Sequence, residues 1–332
     1  MYIFDIPTNI FNYDCGFRYC VAFKQGVSLG NRCFFKFYGR VAMLNYESQQ
    51  PADENVSKRS ELSRKITRLV DGLPLFPTDI DKLLVAAVKP SEDNTEILRL
   101  IESDTKLRGE LLGLARCYFG QKKDFETVED AIGQVGIQPL VQLIGISYAR
   151  DAIRQEFAAL KYLHDYVDHA EDIYITCGIL GEICSLPRDQ REINALAGLV
   201  HDVGRLAIMV ASNKTSARVL GTLWDRMVSV VHEEKATLGT NHCDVGARIC
   251  RRWNFSPVIQ DAVLRHHTPL MNGDFSFAGA LIFISHFVSV SDPSGEILET
   301  LLATEVLNKL DLSAADFDNA KNIYKSRTQN SP

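Results

Sequence analysis

No run in this 332-residue sequence approaches the roughly 18 consecutive apolar residues that a membrane-spanning helix needs. A membrane is therefore not expected as a partner. The opening MYIFDIPTNIF lacks the basic stretch of a secretory signal, so cytoplasmic residence is the expectation. Internal repeats and low-complexity tracts are missing too, which argues against a solenoid or a solvated scaffold. None of the eight cysteines suggests a zinc motif by spacing, Cys15, Cys20 and Cys33 included, and without a signal they read as reduced core thiols. Positive charge is not in surplus: 36 Lys and Arg stand against 42 Asp and Glu, a net −6. That balance gives no overall attraction to nucleic acid, which is not expected as a partner.

What is present is ordinary globular material, 46% hydrophobic and 23% charged, in a chain long enough for one large or two modest domains. Residues 1–60 stand apart as an amino-terminal extension and linker. Within them GNRCFFKFYGR alternates aromatic and basic residues, as a short hairpin would, or belongs to an extended arm. ESQQPADENVSKR (47–59) is polar and reads as a linker.

From Glu61 the periodicity turns helical, with Leu62, Ile66, Leu69 and Val70 on one face and a stop at Gly72. Pro74 and Pro77 break the chain before a helix carrying Ile80, Leu83, Leu84 and Val88. Helical spacing continues over 94–103, 104–119, 127–134 and 138–154, and this lobe, 61–155, is punctuated by Gly120, Gly136 and Pro139. A second set spans 160–184, 192–211, 215–237, 242–253, 257–267 and 277–291, with a last helix after Ser313. No convincing strand appears after residue 60. The body is predicted to be all-α, with a core over 156–318 and a tail over 319–332.

One stretch organises the rest. EINALAGLVHDVGRLAIMVA (192–211) is apolar all round, as only a helix inside a core can be. Yet it carries His201 and Asp202 at its centre. An imidazole beside a carboxylate there costs several kcal/mol of desolvation unless a polar network or a metal satisfies it. All eight histidines fall between 164 and 286. His242 precedes Val245 on the inner face of its helix, His266 and His267 continue the inner face of Val258, Ile259, Ala262 and Val263, and His286 interrupts ALIFISHFV. His164 and His232 lie in charged surroundings and read as surface residues. Taken singly, each of these histidines could equally be a hydrogen-bonded core residue. Together, imidazoles around a carboxylate suit iron, manganese, nickel or zinc. Arg248, Arg251 and Arg252 share one helix face. That face reads as solvated, with Asp244 pairing to Arg248, or as a small docking surface for an anionic partner.

LVHDVGRLAIM (199–209) followed by GTNHCDVGARICRRWNFSPVIQDAVLRHHTP (239–269) resembles the HDOD domain, the HD-related output domain of bacterial signalling proteins. The resemblance begins at LPLFPTDIDKLL (73–84) and runs through IESDTKLRGELLGLA (101–115) and AIGQVGIQPLVQLI (131–144) to about residue 318. It implies an HDOD domain over 61–318, all-helical, in which an amino-terminal helical lobe packs on an HD-type five-helix core. It also implies kinship with the HD-GYP phosphodiesterases that hydrolyse cyclic di-GMP. Their metal pattern falls on His169, His201, Asp202, His242, His266 and His267, with His286 at the position of the last aspartate. Arg205 stands where those enzymes have a lysine, and TPLMNGDFS replaces their GYP segment. Arg116 and Cys117 replace the usual Asn-Ser of HDOD domains.

Three functions follow from the resemblance. The first is a regulatory signalling module without robust catalysis, acting on a protein partner. The second is a metal-dependent phosphohydrolase for a nucleotide or cyclic dinucleotide, with Asp202 and Arg205 as its catalytic pair. The third is a nucleotide sensor that binds its ligand at the same site without turnover.

Overall fold

The computed structural model describes residues 27–29, 32–37, 40–45, 53–88, 95–119, 125–160, 163–212, 229–271, 273–289 and 297–329. It divides into two compact units, Met1–Asp53 and Glu54–Pro332. In the first unit, strands β1 (Val27–Leu29), β2 (Arg32–Phe37) and β3 (Arg40–Asn45) form an antiparallel meander. Phe37 pairs with Arg40 across the β2–β3 turn, as the alternating aromatic and basic residues suggest.

The second unit is helical. Helix α1 (Asp53–Gly72) starts inside the stretch that its polarity marks as a linker, and its buried positions Ile66 and Val70 lie one turn apart. The LPLFP segment then crosses to the core. There Trp253 donates Nε1–H to the Pro74 carbonyl at 3.1 Å, Arg252 donates to the Leu73 carbonyl at 2.7 Å, and Phe76 stacks on Trp253 at 5.4 Å. Arg248 faces Thr67 and Asp71, and Asp244 pairs with Lys235. This corrects the expected Asp244–Arg248 pair: Arg248 meets α1 and Arg252 the Leu73 carbonyl, while Arg251 stays exposed.

Helices α2 (Thr78–Val88), α3 (Thr95–Glu102), α4 (Thr105–Phe119) and α5 (Val128–Val135) complete the first lobe around α6 (Ile137–Glu156). In α4 the buried residues Leu107, Leu111, Ala115 and Phe119 recur every fourth position. Arg116, which departs from the family pattern, holds the Phe125 carbonyl at 2.9 and 2.6 Å and so ties α4 to the residues just before α5. Gly136, at φ +92°, makes the turn into α6, a backbone conformation that glycine adopts at little cost. Helix α6 is buried along most of its length and ties lobe to core through Gln142, whose Oε1 accepts from the Ser256 amide at 3.0 Å.

The core comprises α7 (Leu163–Ile183), α8 (Arg188–Gly198), α9 (Val203–Ala211), α10 (Ser229–Leu238), α11 (His242–Arg252), α12 (Pro257–Arg265) and α13 (Phe277–Ser289). Around it lie α14 (Ile297–Lys309), which the sequence reading missed, and α15 (Ala314–Gln329), which packs on α7. A two-stranded pair, β4 (Leu270–Met271) with β5 (Asp274–Phe275), corrects the expectation of no strand after residue 60. It occupies the TPLMNGDFS segment, where Gly273 at φ +86° closes a turn too short for periodicity to register.

The continuous helix expected over 192–211 is two helices. Residues 199–202 leave the i→i+4 ladder, and the Leu199, Val200 and Val203 amides each reach back three residues instead of four. At this break the His201 ring donates Nδ1–H to the Gly198 carbonyl at 2.8 Å, the acceptor that an uninterrupted α-helix would give to the Asp202 amide. The combined stretch 188–211 is long and apolar enough to cross a membrane by length and composition, and 89% of its most apolar window is buried inside the fold.

Candidate metal centre

Every residue that the sequence singles out for this site arrives in one place. His169 comes from α7, His201 and Asp202 from the break between α8 and α9, and Arg205 from the first turn of α9. His242 opens α11, behind Asn241, whose side chain caps the helix by accepting from the Asp244 amide at 2.7 Å. His266 and His267 follow α12, and His286 projects from α13. The close passage of α9 over α11 fixes the arrangement. A Cβ on Gly204 would lie 2.0 Å from the His242 carbonyl oxygen, so only glycine lets the two backbones meet. His164 lies outside the site, exposed and paired with Asp168 at 2.8 Å, and His232 is exposed on α10.

Asp202 is the hub. Its Oδ2 lies 3.5 Å from His201 Nε2 and 3.9 Å from His169 Nε2. Its Oδ1 lies 3.4 Å from His242 Nε2, 3.5 Å from His266 Nε2 and 2.8 Å from Arg205 Nε. The ring of His286 sits 5.1 Å, centre to centre, from those of His169 and His201. The carboxylate thus divides the cluster into two halves, one per oxygen.

The outer nitrogens show how the rings are aimed. His201, His266 and His286 donate Nδ1–H to the carbonyls of Gly198, Val263 and Ile282, each at 2.8 Å. His242 donates Nδ1–H to Glu234 Oε2 at 2.6 Å, and the same oxygen accepts the His242 amide at 2.8 Å. A carbonyl or carboxylate oxygen can only accept, so in the neutral ring each Nε2 keeps its lone pair for the interior. This is the outer-shell arrangement of metal-binding histidines. His242 Nε2 and His266 Nε2 face each other at 3.3 Å, an opposition of acceptors that a cation relieves.

The electrostatics agree. Burial lowers the His169 pKa to about 3 and holds those of His201, His267 and His286 well below the usual imidazole value. His242 is lowered as well, by burial and then by Arg205, against the pull of Glu234. Burial works against the Asp202 carboxylate, but Arg205 and the surrounding rings outweigh it and hold the group well below the usual carboxylate range. Neutral nitrogens and one ionised carboxylate form a donor set for a divalent transition metal. Three overlapping groups have ligand atoms within 4.8 Å of one another: His169 with His201 and His286; His201 with Asp202 and His266; and His242 with Cys243, His266 and His267.

Two members were not anticipated. Glu234 continues the buried stripe of Val230 and Leu238 on α10, and a carboxylate in such a stripe is the signal that could have found it. Cys243 Sγ lies 3.5 Å from His242 Nε2, and burial pushes its thiol pKa well above the ordinary value. Its position beside His242 was its only signal.

A broken helix presenting an HD pair to imidazoles from four neighbouring segments defines an all-helical protein of the HD class. The chain belongs to the HDOD domain family, whose sequence profile matches residues 73–269. An uncharacterized protein of Treponema pallidum (strain Nichols) is 22% identical over 217 residues, 64% of this chain. The matched region spans about two fifths of that relative's length, 41%. Among solved structures, a proposed phosphohydrolase of Shewanella amazonensis SB2B superposes with a TM-score of 0.56 at 19% identity, covering 79% of this chain and 93% of that one. A proposed signal transduction protein of Marinobacter aquaeolei VT8 gives 0.54 at 19% identity, covering 84% and 65%. These likenesses share the fold.

Proposed function

We propose that this chain is a bacterial regulatory signalling module of the HDOD type, working in the cytoplasm. Its HD centre holds a divalent metal through His169, His201, Asp202 and His286 as part of a ligand- or partner-responsive core, without robust catalysis. The observation that carries this reading is burial. No histidine of the centre is more than 6% exposed, and Asp202 is 1% exposed, so among the described residues the carboxylate is closed off from solvent. The short β4–β5 pair in place of a GYP segment and the histidine in place of a final aspartate support it further.

A second reading, a metal-dependent phosphohydrolase for a nucleotide or cyclic dinucleotide, draws support from the complete inner set of nitrogens around Asp202 and from the likeness to the Shewanella protein. In that case a bound ion supplies Lewis acidity, while Asp202 and Arg205 orient the reacting phosphate. Iron, manganese, nickel and zinc all suit the ligands.

Elemental analysis of chain purified without chelator, beside Asp202→Ala, tests the reading. Metal in the parent and little in the variant, with no hydrolysis of bis(p-nitrophenyl) phosphate by either, is the expected result. Hydrolysis by the parent alone would establish the second reading, and a metal-free parent would leave a module without an ion.

A further inference from the structure

The Oδ1 half of the cluster is unlike the Oδ2 half in one respect. A buried guanidinium sits in it. Arg205 is 1% exposed and lies one helical turn beyond Asp202. It donates Nε–H to Asp202 Oδ1 at 2.8 Å, places Nη2 3.3 Å from His267 Nε2, and turns Nη1 toward Glu234 Oε1 at 3.8 Å. Arginine keeps its charge at any working pH and has no acceptor. His267 Nε2 must therefore accept from it, which leaves His267 Nδ1 as a buried N–H without a hydrogen-bond partner. So one guanidinium engages two electron pairs, on Asp202 Oδ1 and His267 Nε2, in the same half that holds His242, His266 and the Cys243 thiol.

We propose that Arg205 is a built-in cation standing in the place of a second metal ion. Its side chain confines the centre to one ion on the Oδ2 side and covers a latent second site made by Asp202 Oδ1, His242, His266 and His267. The geometry offers two ion positions about one shared carboxylate, which is how paired-metal sites are commonly arranged. Among the described residues, the second is the one into which a fixed positive charge is hydrogen-bonded. The inference rests on the metal-centre reading above and adds that the number of ions is set by this arginine.

The test is a count. Parent, Arg205→Ala, Arg205→Lys and the Arg205→Ala/His242→Ala double variant are stripped with chelator, reloaded with excess Zn2+, desalted and measured by elemental analysis. The expected result is one additional equivalent in Arg205→Ala relative to the parent. The parental number should return in the double variant, whereas Arg205→Lys, which keeps the charge but loses the fork that reaches both Asp202 and His267, should count with Arg205→Ala. Equal counts in the parent and Arg205→Ala would overturn the proposal, as would a parent that already holds two ions. A parent with none sinks the metal-centre reading, whereas the increment between parent and variant judges the role of Arg205 separately. If Arg205→Ala folds poorly when stripped, thermal unfolding followed by circular dichroism supplies the same decision. Zn2+ should raise its Tm by several degrees more than that of the parent, and equal rises would refute the idea.

Discussion

Glu234 shows how much one side chain outside the inner ring can control. Its Oε2 receives both the ring and the amide of His242, at 2.6 and 2.8 Å, and so sets the direction of that imidazole. Glu234→Ala leaves two donors with no acceptor in a nearly closed site, a loss of about 1–3 kcal/mol in stability. Because His242 belongs to the Oδ1 half, the ion held through His169, His201, Asp202 and His286 should keep its affinity, whereas the second equivalent gained in Arg205→Ala should bind about 10–100-fold more weakly when Glu234→Ala is added. Urea denaturation and a competitive chelator titration of Arg205→Ala beside Arg205→Ala/Glu234→Ala measure the two effects, and an unchanged affinity for the second ion would show that His242 is aimed by something else. His201, His242, His266, His267 and His286 were legible in the sequence, because a histidine in an apolar helical face is conspicuous, whereas His169, in the charged DYVDHAEDIYI, was reached only through the family resemblance. Glu234 was not, since its neighbours His232, Glu233 and Lys235 are charged or polar and conceal a buried stripe of only three positions.

At the level of helices, the crossing of α9 and α11 governs how closely His242 approaches Asp202. Gly204→Ala places a methyl group 2.0 Å from the His242 carbonyl oxygen and 2.5 Å from the Gly246 nitrogen, both of them backbone atoms that cannot rotate away. The helices must separate, at about 1–3 kcal/mol or more. A loss of that size in the denaturation midpoint, accompanied by reduced metal retention, is the expected result. A variant as stable as the parent would mean that the crossing adjusts freely. Most helices were legible from apolar spacing, and α4 is a clear case. The break at 199–202 was not, because periodicity reports where apolar residues fall and is blind to a few amides that reach back three residues instead of four. The extent of α1 was hidden for a related reason: six polar residues among its first seven look like a linker to composition alone.

For the whole molecule, the buried imidazoles couple folding to pH. The unfolded chain takes up protons on these rings near pH 6.5, whereas the folded chain keeps His169 neutral down to about 3 and holds His201, His267 and His286 well below the same starting value. The unfolded state thus binds more protons across that window, and stability falls as the pH drops from about 6.5 toward 3. Asp202 and Glu234, whose folded pKa values are lowered, act in the same sense at the acid end. Chelated protein should show a denaturant midpoint that is steady above pH 7 and declines steadily below 6.5. A midpoint independent of pH between 7 and 4 would contradict the buried, neutral cluster.

The anchoring of the outer ring nitrogens has a consequence for how an ion is received. A neutral imidazole in water exchanges between two tautomers, and ligation through Nε2 admits only one of them. Here the carbonyls of Gly198, Val263 and Ile282 and the carboxylate of Glu234 make that selection during folding. The rings are preorganised before any ion enters, so capture requires no proton to migrate around an imidazole.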